Sequence, residues 1–348
     1  MKIKVICTLG PASLDGDIIR RLEERGVDLF RINLSHTPLE QVEPTIDYVR
    51  RHASVPISLD TEGAQVRCGV VASELILRGG TKVILTAEEV HGSAEQLTLR
   101  PRSMFESLEV GSLVSIDFHG VVLRVTGVGE LTATAVVEQG GRIGSNKAVS
   151  VDPAPPLPAL TAKDMGAIEI GVRKAIRHYC LSFASSGQDV ATLRDLIPQN
   201  STIISKIESR SGVRNMDGII ETSDAVIIDR GDLSREVPLQ HVPYYQKAIV
   251  RRANRWNTPL YVATNLLESM VTNRRPTIAE ANDIANTLLD GVHGLVLAAE
   301  TAIGIDPVGA AEMIQTAIDA FDRANMGHLL EEDRPVSQPA ASPLLSIQ

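Results

Sequence analysis

Residues 201–233, STIISKIESRSGVRNMDGIIETSDAVIIDRGDL, carry the pattern that most restricts how this chain can fold. Two apolar, β-branched runs, Thr202 to Ile204 and Ala225 to Ile228, each stop at a charged cluster. The first ends in Lys206 and Glu208, the second in Asp229, Arg230 and Asp232. Strands buried on both faces of a parallel sheet read this way, continuously apolar and then abruptly polar where the chain leaves the sheet. An ammonium and several carboxylates at the same end of successive strands cost stability unless they serve a ligand. A divalent metal with a phosphorylated substrate satisfies both signs of charge.

Strand-like runs of this kind recur near Ile3–Leu9, Asp28–Asn33, Pro56–Leu59, His178–Phe183, Thr202–Ile207, Ala225–Ile228, Leu260–Ala263 and Gly294–Leu297. Helical periodicity with helix-start residues fills Asp15–Arg25, Leu39–Arg51, Thr161–Val172, Val190–Ile197, Val242–Trp256 and Ile278–Leu289. This alternation predicts an α/β fold, a (β/α)8 TIM barrel ahead of an open doubly wound sheet. One interval breaks the rhythm. Residues 68–158 read as short alternating strands split by glycines, at Leu75–Leu77, Lys82–Thr86, Leu113–Ile116, Val121–Val125 and Thr132–Val137. They predict a small all-β lid domain inserted after strand three, with Pro153, Pro155, Pro156 and Pro158 at its exit. The barrel then comprises residues 1–67 and 159–325, and residues 326–348, rich in Pro, Ser and acidic side chains, read as a disordered tail.

Bulk properties narrow the function. The chain has 348 residues, 43% of them hydrophobic, enough for a large core. Aromatic residues make up only 3%, so that core is built from Val, Ile, Leu and Ala. A net charge of −9 without a basic run argues against a nucleic-acid groove or an anionic membrane surface. Cys7, Cys68 and Cys180 are widely spaced and odd in number, which predicts reduced thiols in a cytoplasmic protein. Neither a signal peptide nor an apolar run of ~18 residues is present.

Active sites of such barrels lie at the C-terminal ends of the strands. Those ends supply Arg31, Asn33 and Ser35 after strand two, Asp60 and Thr61 after strand three, and Lys206 and Glu208 after strand five. Strand six supplies Asp229, Gly231 and Asp232, strand seven Thr264 and Asn265, and strand eight Glu300 and Thr301. Strand four offers only Phe183 and serines. Chance would scatter such residues over both ends, so their alignment predicts a ligand site.

The segments ICTLGPAS (6–13), RINLSH (31–36), LDTEG (59–63), ISKIES (204–209), RGDL (230–233), ATNLLESM (263–270), RRPTIAEANDIAN (274–286) and AETA (299–302) resemble pyruvate kinase. They occur in that family's order over roughly residues 1–325, with the insertion where the family has its lid. The resemblance implies that Glu208 and Asp232 hold Mg²⁺ or Mn²⁺, which bridges the carboxylate and phosphoryl oxygens of phosphoenolpyruvate. It implies that Lys206 contacts the phosphoryl group in flight, where fixed positive charge matters most. Arg31 would grip the same oxygens, and Thr264 would lie on the proton route to the enolate. Gly231 and Asp232, with Asp229 beside them, fall at the substrate-binding positions. Asn33, Ser35, Asp60 and the Thr61 carbonyl match a site for a monovalent ion such as K⁺. Asn33, His36, Arg67 and Lys147, the last in SNKAV (145–149), together with Asp117, match positions around the nucleotide phosphates.

Departures from the family pattern cluster at the same ends. The usual TKGPE is TEGAQ, with Glu62 for a lysine and Gln65 for a glutamate that accompanies potassium dependence. Asp229 replaces an alanine beside the pocket for the substrate carboxylate. Ser185 and Ser186 replace a basic pair, and Ile303 a lysine facing the nucleotide. Such losses weaken nucleotide binding more than metal binding. Three readings follow: a phosphotransferase making pyruvate and a nucleoside triphosphate; a metal-dependent enzyme of a specialised pathway acting on another 2-oxo acid or enol phosphate; or a non-catalytic ligand-binding homologue. No segment resembling the family's C-terminal effector domain follows in the sequence, whereas the interface segment 274–286 is kept, and the expectation is a homodimer.

Overall fold

The computed structural model describes residues 2–71, 75–117 and 120–325. Among them, eight parallel strands close into a barrel: β1 (Lys4–Leu9), β2 (Leu29–Asn33), β3 (Ile57–Asp60), β4 (His178–Leu181), β5 (Thr202–Ile207), β6 (Ala225–Asp229), β7 (Leu260–Ala263) and β8 (Gly294–Leu297). Each pairs in parallel with its sequence neighbours, and β8 closes on β1. The residues called a disordered tail, 326–348, lie outside the described residues.

Side-chain alternation along each strand sorts the core into two layers. Inside the barrel, Ile6, Leu29, Cys180, Ile204, Ala225, Ile227, Tyr261, Ala263 and Val296 form a cluster with one aromatic ring. The other parity faces the helices, where Phe30, Ile32, Leu59, Ile203, Ile207, Val226 and Ile228 meet residues such as Ile46, Leu193 and Ile249. Helices begin where side chains satisfy the first free N–H groups. Asp15 caps Gly16–Glu24, and capping boxes Thr161/Asp164, Ser186/Asp189 and Thr277/Glu280 start Ala162–Arg173, Gly187–Leu196 and Ile278–Leu289.

Between β3 and β4 the chain forms antiparallel hairpins around a separate core of Leu85, Leu97, Phe105, Val114, Leu123, Val137 and their neighbours. Their principal sheet contains Val149–Asp152, Leu113–Ile116, Val121–Val128, Thr132–Gln139, Lys82–Thr86, Gln96–Arg100 and Arg67–Cys68. Hydrogen bonds from Ser150 to Glu236 (2.8 Å) and from Arg210 to Asp152 (3.1 Å) tie this unit to the barrel mouth.

The structure corrects several sequence expectations. β4 ends at Leu181, not Phe183, because Phe183 turns out of the strand at φ 52°. Gln96–Arg100, Gly141–Ile143 and Val149–Asp152 are strands that the pattern did not single out. Two short helices, Arg210–Arg214 and Met216–Thr222, follow β5, and another, Arg230–Glu236, starts directly on β6.

Candidate active site

The inward parity of the strands places the predicted residues directly above the barrel core. Lys206 and Glu208 share the parity of Ile204, and Asp229 that of Ala225 and Ile227. Arg31 and Asn33 stand in line with Leu29, and Asp60 with Ser58. Parallel registers Asn33↔Asp60, Lys206↔Ile227 and Asp229↔Ala263 bring the ends of these strands to one level.

Lys206 is the hub. Its Nζ lies 3.3 Å from Glu208 Oε2, 3.5 Å from Asp60 Oδ2 and 3.9 Å from Asp229 Oδ2, all buried. Burial works against the ammonium, but Asp60, Glu208 and Asp229 outweigh it and raise its pKa above the ordinary lysine range. Arg31 is equally buried: Nε donates to Thr8 Oγ1 (2.8 Å) and NH1 to Asp60 Oδ2 (3.1 Å). Burial opposes its charge too, and Asp60 chiefly restores it.

The carboxylates lack matching positive charge. Glu208 Oε1 accepts the Phe183 N–H (2.8 Å), whereas buried Oε2 accepts no hydrogen bond and has only the ammonium contact to Lys206. Burial first, and then the neighbouring acids against the pull of Lys206, raise the Glu208 pKa well above its ordinary value. Asp232 is raised by burial and by Asp229, although Arg235 pairs with it at 2.9 Å. Oxygens of Glu208, Asp229 and Asp232 lie within 4.8 Å of one another. Hard oxygen donors, one of them a buried oxygen without a hydrogen bond, suit a divalent cation.

Asp229 and Thr264 form a second knot. Asp229 caps the helix Arg230–Glu236, Oδ1 accepting from the N–H groups of Gly231 (3.2 Å) and Asp232 (3.4 Å). Thr264 Oγ1 accepts the Gly231 N–H at 2.7 Å and lies 3.0 Å from Asp229 Oδ1. Thr264 holds this place at φ 67°, a rare conformation for a β-branched residue that is retained where surroundings impose it. A Cβ on Gly231 would come within 3.3 Å of Thr264 Oγ1 and 3.4 Å of Asp229 Oδ1, so the knot leaves little room for a side chain there. Arg230 turns away from Asp229 to Asp283 (2.7 Å) and the Thr264 and Asn265 carbonyls.

The oxygens matched to a monovalent site are close but engaged. Asn33 Oδ1 accepts the Ser35 N–H (2.9 Å), and the Thr61 carbonyl accepts from Ser182 Oγ (2.6 Å), which is also 3.3 Å from Asp60 Oδ1. Lys163 adds an ammonium at the Leu34 carbonyl, 3.7 Å from Glu62. Of the residues matched to nucleotide phosphates, His36 is exposed at the rim. Arg67 is bound to the Asn146 carbonyl and Gln65, and Lys147 to Asp117 at 3.1 Å.

A cavity of about 430 Å³ opens between the barrel mouth and the β-rich unit. Val66, Ala148–Val151 and Pro155–Pro158 wall one side; Ser182–Phe183, Ser185, Ser186 and Asp232 wall the other. Among the described residues, Arg235 is its sole cationic lining residue, beside Asp189, Asp232 and Glu236. Ser185 and Ser186 spend their backbone N–H groups on Asp189, at 2.7 and 3.1 Å. Sequence reasoning missed Thr8, Ser182, Lys163 and Arg235. Only Arg235 carried a local signal, the i,i+3 spacing from Asp232.

These features define a class: a (β/α)8 barrel whose strand ends converge on a lysine-centred carboxylate cluster beneath an inserted β-rich unit. A family model for the barrel domain of pyruvate kinase matches residues 1–311. A pyruvate kinase from Methylorubrum extorquens is 35% identical, the alignment covering 98% of this chain and 73% of the relative. One from Geobacillus stearothermophilus is 35% identical over 89% of this chain and 55% of its own length. One from Thermococcus litoralis is 34% identical over 90% and 68% respectively. The chain belongs to the pyruvate kinase family, and spans between about half and three quarters of the length of these relatives.

Proposed function

We propose that the chain is a phosphotransferase of the pyruvate kinase type, moving the phosphoryl group of phosphoenolpyruvate to a nucleoside diphosphate and releasing pyruvate. The observation that carries this reading is the position of Lys206, held between Asp60, Glu208 and Asp229 at the barrel mouth of a family member. Phosphoryl transfer spreads charge over equatorial oxygens, and a fixed ammonium stabilises that charge without reorganising. Glu208 and Asp232 would hold Mg²⁺ or Mn²⁺, which when bound polarises the substrate oxygens. Arg31, locked by Thr8 and Asp60, keeps its guanidinium oriented before substrate arrives. Thr264 hands a proton toward the enolate carbon, its hydroxyl fixed by the Gly231 N–H and Asp229. Asn33, Ser35, Asp60 and Thr61 offer the oxygens for K⁺. The nucleotide would enter the cavity between barrel and β-rich unit, flanked by His36, Arg67 and Lys147.

Further parts of the reading concern setting. Three buried free thiols suit a reducing cytoplasm, and no helix among the described residues is long and apolar enough to cross a membrane. Ile278 and Leu289, at the two ends of one helix, are 90% and 67% exposed, which favours that helix as a homodimer contact.

The acidic, serine-lined cavity favours a second reading, a related metal-dependent reaction of another enol phosphate or 2-oxo acid without a nucleotide. A lactate-dehydrogenase-coupled assay with phosphoenolpyruvate, Mg²⁺ or Mn²⁺, K⁺ and a panel of nucleoside diphosphates separates the two. Pyruvate release that requires a nucleoside diphosphate supports the first. Silence with every nucleotide rejects it.

A further inference from the structure

We propose that Asp229 is a third carboxylate ligand of the divalent-cation site, so that the chain holds its ion without help from an organic substrate. This rests on the reading that Glu208 and Asp232 bind the ion. Three observations carry it. First, an oxygen from each of Glu208, Asp229 and Asp232 lies within 4.8 Å of the others. Oxygens around an octahedral ion at about 2.1 Å stand roughly 3.0 Å apart when adjacent and 4.2 Å when opposite. Movements of about an ångström or less therefore close the set around an ion. Second, Glu208 is fully buried, and its Oε2 accepts no hydrogen bond although Lys206 Nζ stands 3.3 Å away. A buried oxygen in that state has a lone pair open to a further cation. Third, the two oxygens of Asp229 divide their work. Oδ1 is committed to the helix N–H groups and to Thr264, while Oδ2 lies 3.9 Å from Lys206 Nζ and accepts none of these bonds.

The charge count gives the consequence for substrate. Lys206, Arg31 and Arg235 with Asp60, Glu208 and Asp232, plus a divalent ion, would carry a net charge of +2; Asp229 lowers it to +1. The ion is then bound more tightly by protein, and the cluster attracts an anionic substrate less. Ligand charge count is a principal control of affinity at oxygen-donor sites.

The test is titration of the whole chain with Mn²⁺ alone, read by calorimetry and by the electron paramagnetic resonance signal of free Mn²⁺. Asp229→Asn keeps an oxygen to cap the helix but removes the charge, Asp229→Ala removes both, and Glu208→Gln disables the underlying site. Thermal melting in EDTA shows that each variant is folded. The proposal predicts one tightly held Mn²⁺ per chain without any organic ligand, and affinity lower by on the order of tenfold or more in both Asp229 variants. Unchanged affinity in the Asp229 variants, with loss in Glu208→Gln, overturns it and leaves Asp229 as a helix cap on an intact two-carboxylate site. Unchanged affinity in all three variants overturns the underlying site as well. Absence of Mn²⁺ binding to the unsubstituted chain without substrate also overturns the proposal.

Discussion

Replacing Lys206 by methionine leaves Asp60, Glu208 and Asp229 facing one another without the cation they share. The three contacts are 3.5, 3.3 and 3.9 Å long. At an effective dielectric constant of about 20, each gross attraction is worth about 4–5 kcal/mol. Much of that offsets the burial of the charges, so the net effect follows the rule for removing one partner from a buried ion cluster, a loss of about 3–5 kcal/mol. With a urea dependence near 3 kcal/mol per molar, the unfolding midpoint should fall by about 1–1.7 M. Far-UV circular dichroism in EDTA at neutral pH measures it, and Mn²⁺ should restore part of the loss by replacing the missing charge. An unchanged or higher midpoint in the variant refutes the claim that Lys206 neutralises the acidic cluster.

Other consequences follow from the same geometry. Glu208→Gln keeps an acceptor for the Phe183 N–H and removes a charge that burial disfavours; metal-free stability should hold or rise by about 1–2 kcal/mol in urea titrations, while Mn²⁺ binding disappears. Burial lifts the folded-state pKa of Glu208 above its ordinary 4.5 and that of Asp232 above 3.8. A raised folded pKa means that the folded chain binds more protons. The contribution of these two groups to metal-free stability is therefore fullest below those ordinary values and is lost as pH climbs through the raised ones, whereas Mn²⁺ affinity rises over the same window because protons and metal compete. Between pH 4 and 8 the metal-free melting temperature should fall relative to that of Glu208→Gln while Mn²⁺ affinity rises. Finally, burial holds the Cys180 thiol at about 12 and raises Cys7 and Cys68, so Ellman's reagent at pH 8 should find three thiols only after denaturation.

The barrel was legible because its strands are buried on both faces and its helices are amphipathic: the strands Thr202–Ile207, Leu260–Ala263 and Gly294–Leu297 and the helices Val242–Trp256 and Ile278–Leu289 have the bounds that periodicity predicts. The β-rich insertion was only half legible. Strands such as Gln96–Arg100 and Val149–Asp152 are short, and their polar ends blend into the flanking loops. The helices Arg210–Arg214 and Met216–Thr222 were hidden by Gly212, Asn215 and Gly218, which interrupt any helical stripe. In the site, strand ends announced Lys206, Glu208 and Asp232, but two features depend on tertiary placement. One is the left-handed backbone at Phe183 and Thr264, which aims an N–H at Glu208 and a hydroxyl at Gly231. The other is the partner of Asp229. Arg230 is its sequence neighbour but reaches Asp283, 53 residues away, and the cap to Gly231 and Asp232 takes its place.

Phosphorus NMR of a mixture of phosphoenolpyruvate, Mg²⁺, K⁺ and a nucleoside diphosphate tests the central claim most directly, because it follows the phosphoryl group itself. The account predicts that the enol phosphate resonance declines as a nucleoside triphosphate γ-resonance grows in step, and that Lys206→Met stops both. An enol phosphate resonance that is stable with every nucleoside diphosphate, or that declines into inorganic phosphate alone, would contradict it.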